Sequence, residues 1–169
     1  MVERDNIIVD GAGYILQGLE TMNGICLSER NNVTIRNMII KSFENGIYIN
    51  YSWNCKIIWN YMKNNMHAIR LGNSHNNTIT ENSVIENNAY SVILDNSSKN
   101  KIQGNNITKN NGVDLSNSSN NVISGNYIAY NWFGIYLPDS SNNNIITYNI
   151  IKANENWGIY VYSSNNINK

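Results

Sequence analysis

Apolar residues in this chain recur in short alternating bursts, not on a helical period. Pairs two positions apart, Ile25/Leu27, Ile47/Ile49, Ile69/Leu71, Val92/Leu94, Val113/Leu115, Ile135/Leu137 and Ile159/Val161, each mark one face of an extended segment, because strand side chains alternate sides. Two further apolar spots follow each pair. The first falls at Ile35, Ile58, Ile79, Ile102, Ile123 and Ile146, and the second at Ile39, Met62, Val84, Ile107, Ile128 and Ile151. The residue leading each unit falls at Gly24, Gly46, Ala68, Ser91, Gly112, Gly134 and Gly158, with spacings of 22, 22, 23, 21, 22 and 24. A unit this short has no room for a helix beside its strands. The period therefore predicts an all-β, right-handed parallel β-helix of about seven coils, each of three short strands.

Composition supports stacking over disorder. The 169 residues include 37 Asn and 26 Ile, a bias that would suit a low-complexity segment if it were not held in register. One asparagine recurs at Asn37, Asn60, Asn82, Asn105, Asn126 and Asn149, and a second polar marker follows at Ser42, Asn65, Asn87, Asn110, Asn131 and Asn154. Equivalent residues of neighbouring coils lie ~4.8 Å apart, close enough for one amide to bond the next. The first asparagine row is thus expected as an inward ladder at a corner, in the left-handed conformation that Asn tolerates. Runs such as Asn96-Ser97-Ser98 and Ser118-Ser119-Asn120-Asn121 read as solvent-facing turns. Residues 5–23 form an opening coil, with Ile7 and Val9 inward and a turn at Asp10-Gly11-Ala12-Gly13. Residues 24–169 hold the repeats, the last incomplete at Ser163-Ser164-Asn165-Asn166-Ile167-Asn168-Lys169. The whole, 1–169, is one domain without evident caps, expected to be a piece of a longer solenoid or to stack end to end with a second copy.

Charge narrows the partners. Twelve basic and twelve acidic residues give a formal net charge of zero, which offers no basic face for nucleic acid. No apolar run approaches the ~20 residues of a membrane span, and Met1-Val2-Glu3-Arg4-Asp5 does not open a secretory signal. Cys26 and Cys55 are too few for a disulfide framework.

The stretch Asn-Ile-Ile-Val-Asp-Gly-Ala-Gly-Tyr at 6–14, then Asn-Asn-Val-Thr-Ile-Arg-Asn at 31–37, then the repeated Asn-x-Ile-x-x-Asn blocks resemble the NosD-like family of parallel β-helix proteins, which overlaps the carbohydrate-binding and sugar-hydrolase class. The resemblance implies a secreted or surface protein, and the family's name protein is tied to copper-site maturation. The donors here do not suit copper: His67 and His75 fall on different faces, Cys26 and Cys55 in different registers, and Met22, Met38, Met62 and Met66 read as core or corner fillers. No metal or other cofactor is expected.

With the core generic, function falls to outward rows. Two rows run Cys26, Tyr48, Arg70, Ile93, Asp114, Tyr136, Tyr160 and Ser28, Asn50, Gly72, Asp95, Ser116, Pro138, Tyr162. Arg70, Asp95 and Asp114, with His67 just before, could serve a lyase, epimerase or hydrolase acting on polysaccharide, two carboxyls ~5 to ~9.5 Å apart being what hydrolysis needs. The Asp-Asp, Gly-His-Gly, Arg-Ile-Lys and Asp-Pro-His motifs of such enzymes are absent, and a surface ion pair is the simpler account. Aromatics crowd the last coils. Tyr136, Tyr160 and Tyr162 take outward slots, Trp132 and Trp157 stand at the corner before the strand, and Tyr48 lies further back. Such rings could bind a glycan or only stabilise the sheet. The leading expectation is a non-catalytic, extracellular or cell-surface module that binds glycan or serves as scaffold.

Overall fold

A computed structural model describes residues 1–138, 140–162 and 167–168. Among them the chain forms 22 strands, no helix, and three parallel sheets. The long sheet stacks β3 (Asn23–Ser28), β6 (Asn45–Asn50), β9 (His67–Gly72), β12 (Val92–Asp95), β15 (Val113–Ser116), β18 (Phe133–Leu137) and β21 (Trp157–Val161) in that order. Two sheets of mostly three-residue strands complete the wall, one of eight strands from β1 (Ile8–Asp10) to β22 (Ile167–Asn168), the other of seven from β2 (Ile15–Gln17) to β20 (Ile150–Lys152). This is a parallel β-solenoid of the expected pitch, and no described helix is long and apolar enough to cross a membrane.

The interior is a column of aliphatic residues. Leu27, Ile49, Leu71, Leu94, Leu115 and Leu137 are fully buried, and the row of Ile35, Ile79, Ile102 and Ile123 packs into the same core. Two expected members are shifted by one residue. Ile57, not Ile58, pairs with Ile35 and Ile79, and Ile40, not Ile39, pairs with Met62. Adjacent isoleucines hide this choice, since alternation alone does not say which of two is inward. Ile159 and Val161 continue inward rows yet are 38% exposed, because no described strand stacks on β21.

Corners follow one rule. In six successive coils four residues take positive φ, for example Asn73, Asn76, Glu81 and Glu86, then Asn96, Lys99, Gly104 and Lys109. The residue after each turns inward: Ser74, Asn77, Asn82 and Asn87, then Ser97, Asn100, Asn105 and Asn110, all buried. The inward asparagines are therefore not the left-handed residues; their predecessors are. Ser97, Ser118 and Asn121 are fully buried, so the serine and asparagine runs are not simply solvent-facing turns.

Asn60, Asn82, Asn105, Asn126 and Asn149 bond in series, each side-chain Nδ2 donating to the next Oδ1 at 2.9–3.1 Å. Asn65, Asn87, Asn110, Asn131 and Asn154 form a second such series at 3.0–3.4 Å. Asn37 stands outside. It is itself left-handed at φ 54°, its amide donates to Asp10, and the backbone N–H of Met38 is what meets Asn60. Ser52, Ser74, Ser97, Ser118 and Ser141 make a further inward row, each hydroxyl accepting from the preceding coil's backbone N–H. Small leading residues are forced by close approach: a Cβ on Gly112, at φ 91°, would lie 2.1 Å from the carbonyl oxygen of Phe133.

Candidate functional site

The long sheet's outer face brings the candidate residues into two neighbouring groups. Register aligns Tyr48 with Arg70, Arg70 with Ile93, Ile93 with Asp114, Asp114 with Tyr136, and Tyr136 with Tyr160. Asp95 stands in the parallel row opposite Ser116. Arg70 lies 3.8 Å from the Asp95 carboxylate and 5.8 Å from the Tyr48 ring centroid, half-exposed. An ion pair this open contributes little to stability.

Asp114 is different. It is only 7% exposed, and it accepts the Ser116 hydroxyl at 2.7 Å with the Tyr90 phenol nearby. Burial raises its carboxyl above the usual range, against the pull of the neighbouring hydroxyls. Burial likewise pushes the Tyr90 phenol up to about 12, with the Asp114 charge adding to it. His67 stacks on Tyr90 at 6.5 Å and 17°. Burial and then the Arg70 charge lower its pKa, and its buried Nδ1 has no hydrogen-bond partner among the described residues. The four polar candidates thus split, Arg70 with Asp95, and His67 against Tyr90, whose phenol neighbours Asp114.

The aromatic group follows two coils on. Tyr136 stacks on Tyr160 at 5.2 Å, Phe133 on Trp157 at 5.4 Å with planes 5° apart, and Trp157 meets Tyr160 at 4.8 Å. Much of this ring surface is turned toward other rings, which supports the sheet. Trp132 stands apart, edge-on to Phe133 at 75° and 47% exposed. Trp157 does not sit at a corner as expected; it opens β21, paired with Phe133. Tyr162 is 56% exposed just past that strand, whereas Tyr48 lies four strands from Tyr136, ~19 Å at the sheet spacing, and joins the Arg70 group instead.

Sequence reasoning missed Tyr90 and Phe133, and it placed Ser116 in an outward row without a role. A signal was there: Asn23, Asn45, His67, Tyr90, Asn111, Phe133 and Trp157 all stand one residue before the leading position. The register pairs Asn23, Asn45 and His67, and pairs Phe133 with Trp157.

The fold and this face define a parallel β-solenoid with one chemically varied outer wall. The chain belongs to the family described as periplasmic copper-binding protein (NosD), whose model matches residues 4–169. A search of curated proteins finds no match. Among solved structures, a mutant of the periplasmic alginate epimerase AlgG is 26% identical with a TM-score of 0.76, over 78% of this chain and 33% of its own. The epimerase itself is 18% identical with a TM-score of 0.82, over 98% and 46%. DFA-IIIase from Arthrobacter chlorophenolicus A6 is 18% identical with a TM-score of 0.74, over 86% and 38%. The chain thus spans less than half the length of each of these three structures.

The donors do not fit copper. Cys26 stands on the outer row beside Tyr48, while Met38 packs against the core from inside the wall. Cys55 is buried, with its thiol against the carbonyls of Trp53 and Arg30. No three His, Cys, Asp or Glu converge among the described residues.

Proposed function

We propose that the long sheet's outer face is a glycan-binding surface of a non-catalytic module working outside the cytoplasm. The observation that carries this reading is the continuity of Arg70, Asp95, Tyr90 and Asp114 with the rings of Trp132, Phe133, Tyr136, Trp157 and Tyr160 across neighbouring coils of one face. Polar groups can take hydroxyls or carboxylates, and a ring face such as that of Trp132 can take a sugar's C–H face. Likeness to an alginate epimerase supports an acidic polysaccharide as the first ligand to try, and the family's periplasmic description supports the location. Affinity electrophoresis in alginate-containing gels tests it. The wild type is expected to be retarded, with retardation lost in Arg70→Ala and weakened in Trp132→Ala. An unretarded wild type, or retardation that both variants keep, overturns the reading.

A second reading, catalysis on a uronate polymer, is favoured by the burial of Asp114 beside the Tyr90 phenol. Two carboxyls on one face, Asp114 pushed up by burial and Asp95 paired with Arg70, have the unlike environments that acid–base chemistry uses. Absorbance from unsaturated uronate, produced by the wild type and not by Asp114→Asn, would decide for it.

A further inference from the structure

The corner between the two short sheets carries aromatics that the long sheet does not explain. Trp59 and Tyr61 flank Asn60, whose side chain turns inward to bond Asn82, so both rings project from the wall. Trp59 is 52% exposed and Tyr61 37%. With Ala12, Gly13, Asn37 and Ile39 they border a hollow of about 380 Å³.

Trp59 holds φ 56°, at a corner position filled by Asn37, Glu81, Gly104 and Gly125 in other coils. A bulky residue is uncommon in that conformation, and such strain gathers at functional positions. Its indole N–H donates to the Glu81 carboxylate, which fixes the ring plane. Unlike Phe133 and Trp157, it stacks on no other ring among the described residues. The charged groups around it already have partners: Asp10 bonds Arg36 and Asn37, and Glu81 bonds Trp59. A face of open ring with a rim of paired polar groups suits a ligand that is uncharged, hydroxyl-rich and flat on one side.

We propose that this hollow is a second subsite that takes a pyranose residue of a neutral glycan, independent of the long-sheet face. Calorimetric titration of the full chain with cellohexaose, whose equatorial hydroxyls leave flat C–H faces, tests it. The variants borrow residues from the same rows: Trp59→Gly, as at Gly104, and Tyr61→Ser, as at Ser83. Because other coils fold with those residues, thermal unfolding should not fall in Trp59→Gly, and affinity should weaken about tenfold. Trp157→Ala should bind cellohexaose as the wild type does, and Trp59→Gly should keep its retardation by alginate. No binding of cellohexaose by the wild type, unchanged affinity in both corner variants, or equal weakening in Trp157→Ala overturns the proposal.

Discussion

Replacing Asn105 by Ala tests whether the inward amides hold the solenoid together or merely fill it. Asn105 Oδ1 accepts the backbone N–H of Asn82 at 2.9 Å and its Nδ2 at 3.0 Å. Its own Nδ2 donates to the carbonyls of Ile79 and Gln103 and to Asn126 Oδ1. Not all of these losses count equally. The Asn82 amide keeps the carbonyls of Ile57 and Thr80, the Gln103 carbonyl keeps the N–H of Glu81, and Asn126 Oδ1 keeps the backbone N–H of Asn105. The backbone N–H of Asn82 is left without its acceptor in a site 2% exposed. An orphaned buried donor costs ~1–3 kcal/mol, and the void left by the amide adds to that, for about 2–4 kcal/mol in all. In a chain of this length that lowers Tm by roughly 10 °C. Asn37→Gly is the control: its side chain lies outside the bonded row and its φ is already positive, so its change should stay within ~0.5 kcal/mol. Calorimetric melting of both variants beside the wild type reads the difference. Equal melting of Asn105→Ala and Asn37→Gly would refute the reasoning.

Two further outcomes follow from single residues. Asp114 has a carboxyl raised by burial, so its ionisation opposes folding. That cost is absent below the unfolded carboxylate range and fully present above the raised folded pKa. Asp114→Asn should therefore gain stability over the wild type as pH rises from about 3 toward 7, read by denaturant titration across that range; a gain independent of pH contradicts it. Tyr148, 87% exposed at φ 55°, occupies the corner row of Gly104 and Gly125. Tyr148→Gly should stabilise by up to about 1 kcal/mol, and a lowered Tm would count against strain at these corners.

The period, the three sheets and most of the core were legible because they rest on alternation and on markers repeated in every coil. What escaped was whatever alternation leaves degenerate. Paired isoleucines at 39–40 and 57–58 look alike in sequence, and only the stacked neighbours decide which enters the core. Asn37 keeps the spacing of the asparagine row yet is not in it, because the residue that turns inward there is Met38. The buried serine row was misread since a short hydroxyl run resembles a turn, whereas here alternate residues go in and out of the wall. At the site, Arg70 with Asp95 was visible from row spacing alone. Tyr90 was not, for it precedes its strand and reaches Asp114 across coils.

Corner strain and surface chemistry are linked by this geometry. Each Asn or Ser that turns inward at a corner follows a left-handed residue, and that predecessor projects from the wall. Where folding alone sets the choice, Asn or Gly should stand there, as at Asn73, Asn96, Asn117, Gly104 and Gly125. Charged residues depart from that rule at Glu29, Glu81, Glu86, Lys99 and Lys109, where a flexible chain reaches into water. Trp59, Tyr51, Tyr130 and Tyr148 instead put a ring at the same backbone angle, all more than half exposed. Burial does not repay a left-handed ring at such a position, so the backbone supplies no reason for it. The outer rows of the long sheet carry no such penalty, and their rings can be there for sheet stability alone. Aromatic residues at strained corners are therefore the more discriminating sign of a surface shaped for a ligand, which is why Trp59 carries more weight here than the larger cluster around Trp157.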